Sequence, residues 1–142
     1  MKLEDALFSH PDRVVDDLIE PSENLAFNRF NRGSRSDPNS DSQNWNRTFE
    51  MAVEQPSAVA VLLHGLSDSP YSLRALADVL HAQDMHIVGL RVPGHGTAPS
   101  GLVHGSWQDM AAAAEIAMKH AAQVAGDRPV IVLGYSHGAA LA

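Results

Sequence analysis

Apolar and polar positions follow clear periods only after about residue 45. Phe49, Met51 and Val53 alternate with Glu50, Ala52 and Glu54, which predicts a half-exposed strand. Ala58 to Leu63 (AVAVLL) is unbroken apolar sequence, the pattern of a strand covered on both faces in a parallel sheet. Ser69 is a good N-cap and Pro70 a good first helical residue, and Leu73, Leu76, Ala77 and Leu80 share one helical face. His86 to Val92 (HIVGLRV) predicts a third strand, closed by the turn residues Pro93 and Gly94. A second helix starts at Ser106, with Asp109 as capping-box partner and Trp107, Met110, Ala114, Ala117, Met118 and Ala121 on its apolar side. Gly126 and Pro129 end it. Val130 to Leu133 (VIVL) is a fourth strand. Strands alternating with helices of this length imply βαβ crossovers, hence an α/β class with a mostly parallel sheet and flanking helices.

The first 45 residues read differently. Pro11 opens a short helix with Val14, Val15, Leu18 and Ile19 on one face, ending before Pro21. The stretch NRFNRGSRSDPNSDSQNWNR that follows is rich in residues that bond their own backbone in turns. Asp37, Asn39 and Asp41 imitate the start of a calcium loop, but Ser42 replaces the required Gly and Thr48 the bidentate Glu, so an Asx-type loop is expected. The predicted organisation is an N-terminal extension with a polar loop over 1–45 and an α/β domain over 46–142.

Composition narrows the function classes. The chain has 142 residues, 44% of them hydrophobic and 19% charged, which suits one soluble globular domain. Its net charge of -7 argues against nucleic acid or an anionic membrane surface as the main partner, since both demand a positive field. Residues 1–55 carry eleven acids against six bases, so most of this charge sits ahead of the packed part. There is no Cys and so no disulfide. No apolar run approaches the roughly 20 residues of a bilayer span. The start, MKLEDALFSHPDRVVDDLIE, has acids where a secretory signal has its basic region, which leaves the cytoplasm as the default location.

The strongest chemical signal is Gly134-Tyr135-Ser136-His137-Gly138, a G-x-S-x-G pattern between an apolar strand and a small-residue helix. A serine forced into a tight strand-to-helix turn presents its Oγ at the carboxyl edge of the sheet, and glycines on either side let strand and helix approach closely. Acyl transfer also needs two preorganised N–H groups for the oxyanion. One candidate is the N–H of His137, directly after the serine. The other is the N–H of Leu66, in the His64-Gly65-Leu66 turn after the AVAVLL strand, with Gly65 letting the backbone turn inward. The Pro93-Gly94-His95-Gly96 loop is a poor dinucleotide loop, because Pro99 stands where a third Gly belongs and no helix opens there. His95 also lacks a metal-ligand partner at i+4. It is expected, with His64 and Gly65, to border the active-site cleft.

The succession VLLHGLSDSPYSLRALADVL, GLRVPGHGTAPSG, WQDM and VIVLGYSHGAALA resembles the α/β-hydrolase superfamily, in its carboxylesterase and monoacylglycerol-lipase-like (serine aminopeptidase S33-type) branch, over about residues 48 to 142. The resemblance implies the N-terminal half of an α/β-hydrolase fold. It assigns Ser136 as nucleophile, His64 to Leu66 as part of the oxyanion loop, and Gly94 to Gly96 as a loop after a core strand. It implies hydrolysis of a small-molecule ester or lipid through an acyl-enzyme, with no metal or organic cofactor.

A serine nucleophile needs a base, and the base a carboxylate. In this fold their order is Ser, then Asp or Glu, then His. The six residues after Ser136, HGAALA, contain no acid. His137 diverges from its neighbour at a sharp elbow; His64 and His95 sit at strand carboxyl ends, where the resemblance gives them loop roles, and a substitute relay would pair one of them with Asp68 or Asp109. The sequence therefore reads as an incomplete hydrolase domain, expected to be inactive as it stands and to self-associate through exposed sheet edges. The rival readings are an acyltransferase using the same serine, and a non-catalytic binding module of the same fold. A dehalogenase would need a carboxylate at position 136.

Overall fold

The computed structural model describes Gly33, Ser34 and residues 45–96, 99–103 and 105–142. The helix predicted near Pro11 and the polar loop at 37–41 lie outside the described residues. The core is a four-stranded sheet made of β1 (Phe49–Met51), β2 (Ala58–Leu63), β3 (Met85–Leu90) and β4 (Val130–Gly134), in the order β1-β3-β2-β4. β2 runs parallel to both β3 and β4, while β1 runs antiparallel to β3 at the edge. Helices α1 (Arg74–His81) and α2 (Trp107–Ala125) connect the parallel strands, and the short α3 (His137–Leu141) follows β4. This is a mixed, mostly parallel sheet with flanking helices, as in part of an α/β-hydrolase fold.

The uninterrupted apolar run of β2 is explained by burial on both faces, since all six of its residues are buried. Val59, Val61 and Leu63 join Val88, Leu90 and the alanine stripe Ala113, Ala114, Ala117, Ala121 and Ala125 of α2. Ala58, Ala60 and Leu62 face the opposite side, with Phe49, Met85, Ile87 and Ala77 of α1. Small side chains on α2 let the helix axis approach the sheet closely. The helix is started by Ser106, whose Oγ accepts from the Asp109 N–H at 3.2 Å while the Asp109 carboxylate accepts from the Ser106 N–H at 3.0 Å.

Several expectations are corrected by side-chain chemistry. β1 stops at Met51 because the Val53 N–H leaves the ladder and donates to Nδ1 of His86 at 3.4 Å. The turn from Pro70 to Leu73 is a 3-10 helix, after which the buried stripe centres on Ala77; Leu76, expected on that stripe, is 40% exposed. Ser69 has the extended backbone of an N-cap but its Oγ donates to Asn46 Oδ1 at 2.5 Å instead of capping. Trp107 stands one turn ahead of Met110, where α2 first meets the core, and is exposed.

β3 ends at Leu90, two residues before the expected limit. Beyond it, the Arg91 N–H donates to Thr48 Oγ1 at 3.0 Å and the Val92 N–H to His64 Nε2 at 3.1 Å. Side chains from neighbouring strands thus satisfy the backbone where the ladder stops.

Candidate active site

The strand-to-helix turn at Ser136 begins where β4 continues its pairing by one residue, with the Tyr135 N–H donating to the Leu63 carbonyl at 3.0 Å. The chain then turns at Ser136, whose φ of 53° and ψ of -116° lie in a region that L-residues avoid. Holding a serine there costs about 1–3 kcal/mol, which the surrounding packing must overcome. The return is closed by the Gly138 N–H to the Tyr135 carbonyl at 2.9 Å and the Ala139 N–H to the Ser136 carbonyl at 3.0 Å.

The glycines fit the expected geometry. A Cβ on Gly134 would lie 2.6 Å from the Ala139 backbone, and one on Gly138 would lie 2.5 Å from the Leu63 carbonyl carbon. Strand β4, helix α3 and the end of β2 therefore meet backbone to backbone. A Cβ on Gly65 would lie 3.2 Å from the Tyr135 ring and 3.7 Å from Ser136 Cβ, so the loop after β2 lies beside Ser136.

Both candidate oxyanion donors stand at this junction. Among the described residues, neither the Leu66 nor the His137 N–H makes a hydrogen bond within the chain. The Leu66 side chain is 54% exposed and that of Tyr135 62%, giving the serine an apolar surround.

His64 and His95, expected to border the cleft, are both buried. His64 is fully buried, and it accepts the Val92 N–H at Nε2. Its proton is therefore on Nδ1, which donates to the Gly65 carbonyl at 2.9 Å. Burial lowers its pKa to about 4, the nearby His95 and His137 adding to this and the Gly65 carbonyl and Asp68 opposing it. His95 is buried too, with Nδ1 donating to the Pro93 carbonyl at 3.0 Å and Nε2 making no hydrogen bond. Burial lowers its pKa, against the pull of the Pro93, Leu66 and Val92 carbonyls.

The His95 ring lies between the other two, 5.0 Å from His64 and stacked on His137 at 6.2 Å. The His137 side chain turns away from the serine and donates from Nε2 to the Met110 thioether at 3.3 Å. So the rings of His64 and His95 form the floor beneath the loops, and Gly65 is buried with them. Among the described residues no side chain hydrogen-bonds Ser136 Oγ, and no group of His, Cys, Asp and Glu is arranged to hold a metal.

Asn46 is a site-supporting residue that periodicity did not reveal. It is 2% exposed, accepts from Ser69 beyond the His64-Gly65-Leu66 turn, and packs its carbonyl against Gly96 of the Pro93-Gly94-His95-Gly96 loop. A lone Asn at the edge of a polar stretch carries no such signal in sequence.

Residues 54–142 match the family described as serine aminopeptidase, S33. The chain belongs to this family of hydrolases. No curated protein matches. Among solved structures, one from the description of LipS and LipT, two metagenome-derived lipolytic enzymes, is similar at 22% identity with a TM-score of 0.55. It covers 63% of this chain and 36% of its own. The likeness extends the S33 assignment to a shared α/β-hydrolase fold, and the chain spans about a third of that enzyme's length. In this S33 chain no helix among the described residues is long and apolar enough to cross a membrane.

Proposed function

We propose that this chain carries the nucleophile and both oxyanion donors of a serine hydrolase acting on carboxylic esters of small molecules or lipids. The reading is carried by the strained backbone of Ser136 beside two N–H groups, of Leu66 and His137, that no other described residue uses. Strain of this kind is kept where it presents a reacting group.

Ser136 Oγ attacks the ester carbonyl carbon while a base takes its proton, and the carbonyl oxygen gains the negative charge that the two N–H groups hold. Collapse of this intermediate expels the alcohol, which takes the proton back from the base, and leaves an acyl-serine. Water repeats the sequence and releases the acid. The exposed apolar side chains of Leu66 and Tyr135 suit the hydrocarbon part of such a substrate.

The base in this scheme is none of the three nearby histidines. His64 has both ring nitrogens engaged, His137 points to Met110, and His95 is buried. Turnover by the 142 residues alone is accordingly expected to be slow or absent.

The test is labelling with a fluorophosphonate, mapped by mass spectrometry, together with hydrolysis of a short p-nitrophenyl ester. The adduct is expected on Ser136 in preference to every other serine, and absent in Ser136→Ala, with little ester turnover. Labelling with no preference for Ser136 refutes the nucleophile. Rapid hydrolysis that Ser136→Ala abolishes refutes the exclusion of the three histidines.

A further inference from the structure

His64 is buried and titratable, and the reaction scheme above gives it no proton to move. Its two hydrogen bonds nevertheless point to a task. Nε2 accepts the Val92 N–H at 3.1 Å, which places the ring proton on Nδ1, and Nδ1 donates to the Gly65 carbonyl at 2.9 Å. The Gly65 carbonyl and the Leu66 N–H belong to one peptide unit. In a planar trans peptide they point in opposite directions, so a hand on one aims the other. The Asp68 N–H also donates to the Gly65 carbonyl, at 3.1 Å, so this oxygen is held twice.

We propose that His64 is a positioning residue that aims the Leu66 N–H at the oxyanion by holding the carbonyl on the opposite side of the same peptide, its own proton being placed by the Val92 N–H at the end of β3. The proposal rests on the reading of the Leu66 N–H as an oxyanion donor. A line of aligned dipoles then runs from the Val92 N–H through the imidazole and the Gly65–Leu66 peptide to the developing negative charge. Each bond in such a line polarises the next. Burial keeps the ring neutral, so it stays a donor on one side and an acceptor on the other. The ring of His95, 5.0 Å away, closes the other side of this floor.

Two amide variants divide the ring's functions. The amide nitrogen in His64→Asn falls near the position of Nδ1 and can still donate to the Gly65 carbonyl, whereas the longer side chain in His64→Gln reaches the position of Nε2 and can accept only from Val92. In the 142-residue chain, the rate of fluorophosphonate labelling at Ser136 is expected to stay within about threefold of wild type in His64→Asn. In His64→Gln it is expected to fall at least tenfold, even where the two variants melt at similar temperatures.

Equal slowing in both variants, in step with their loss of thermal stability, would show a merely structural histidine and overturn the proposal. So would a wild-type rate in His64→Gln. Nitrogen NMR of the wild-type ring at pH 7 gives a test that needs neither variant to fold: a neutral ring protonated on Nδ1 is expected, and the Nε2–H tautomer or a charged ring overturns the proposal. Failure of wild type to label at Ser136 counts against the serine reading, while the ring tautomer still decides the peptide clasp.

Discussion

Acid should destabilise this protein well above the range in which carboxylates titrate, and His64 supplies the reason. Its pKa falls from the ordinary 6.5 to about 4 in the folded chain, because the buried site has no room for a charge. The unfolded chain therefore binds a proton between these values that the folded chain refuses. Stability rises with pH wherever the unfolded state holds more protons, so the contribution is complete above about pH 6.5 and shrinks as pH falls toward 4. A shift of this size corresponds to about 3 kcal/mol, a large part of the roughly 5–15 kcal/mol that holds a domain together. His95, also shifted down by burial, adds to the slope in the same direction.

Glu50 acts in a separate, lower window. Partial burial raises its pKa, but hydrogen bonds from His120 and His86, at 2.8 and 2.7 Å, outweigh this and bring it below 4.5. Its stabilisation is thus present above pH 4.5 and lost as pH falls through the folded value.

The assay is urea unfolding of wild type and His64→Asn at pH steps from 7.5 to 4.5. Wild type is expected to lose about 2–3 kcal/mol over this range, and the variant, although less stable at pH 7.5, to lose much less. The same slope in both proteins, or no slope in wild type above pH 4.5, would refute the assignment of the proton linkage to His64.

Two further outcomes follow from packing. Gly138→Ala should destabilise by about 3 kcal/mol or more, because its Cβ would press on the carbonyls of Leu63 and His64, which cannot move without breaking the sheet. Gly126→Ala meets no atom within 4 Å and keeps only the strain of its positive φ, so about 1–2 kcal/mol is expected; equal losses in the two, measured by urea unfolding, would contradict the close-approach argument. Among the described residues β4 forms the other edge of the sheet, and it carries Ile131 40% exposed, with no charge in Val130–Gly134. Such an edge invites pairing with a second copy, so Ile131→Lys should lower the apparent mass in sedimentation velocity, and an already monomeric wild type would refute this.

The parts of the fold legible in sequence are those that depend on one element at a time. AVAVLL marks β2 to the residue because a strand buried on both faces has no polar position to interrupt it. Ser106 and Asp109 mark the start of α2 because a capping box is local. The elbow is likewise local, since one strained residue between two glycines defines it. Leu76 and Trp107 were misplaced because periodicity gives a face but not the phase set by a 3-10 turn, nor the point at which a helix first meets the sheet.

The same limit explains the histidines. Their loop positions are legible in sequence, but not what their rings bond. Here the parallel strands β2, β3 and β4 end level, at Leu63, Leu90 and Gly134, and the N–H groups just beyond β3 bond to side chains instead of a ladder partner. Thr48 takes the Arg91 N–H, His64 takes the Val92 N–H, and Ser69 ties the following turn to Asn46. Every one of these bonds joins residues far apart in sequence but adjacent at the carboxyl edge of the sheet. That edge is also where Ser136 stands. On the proposal that Ser136 is the nucleophile, a histidine beside it serves the reaction without moving a proton, by satisfying and aiming backbone groups that the sheet itself leaves over.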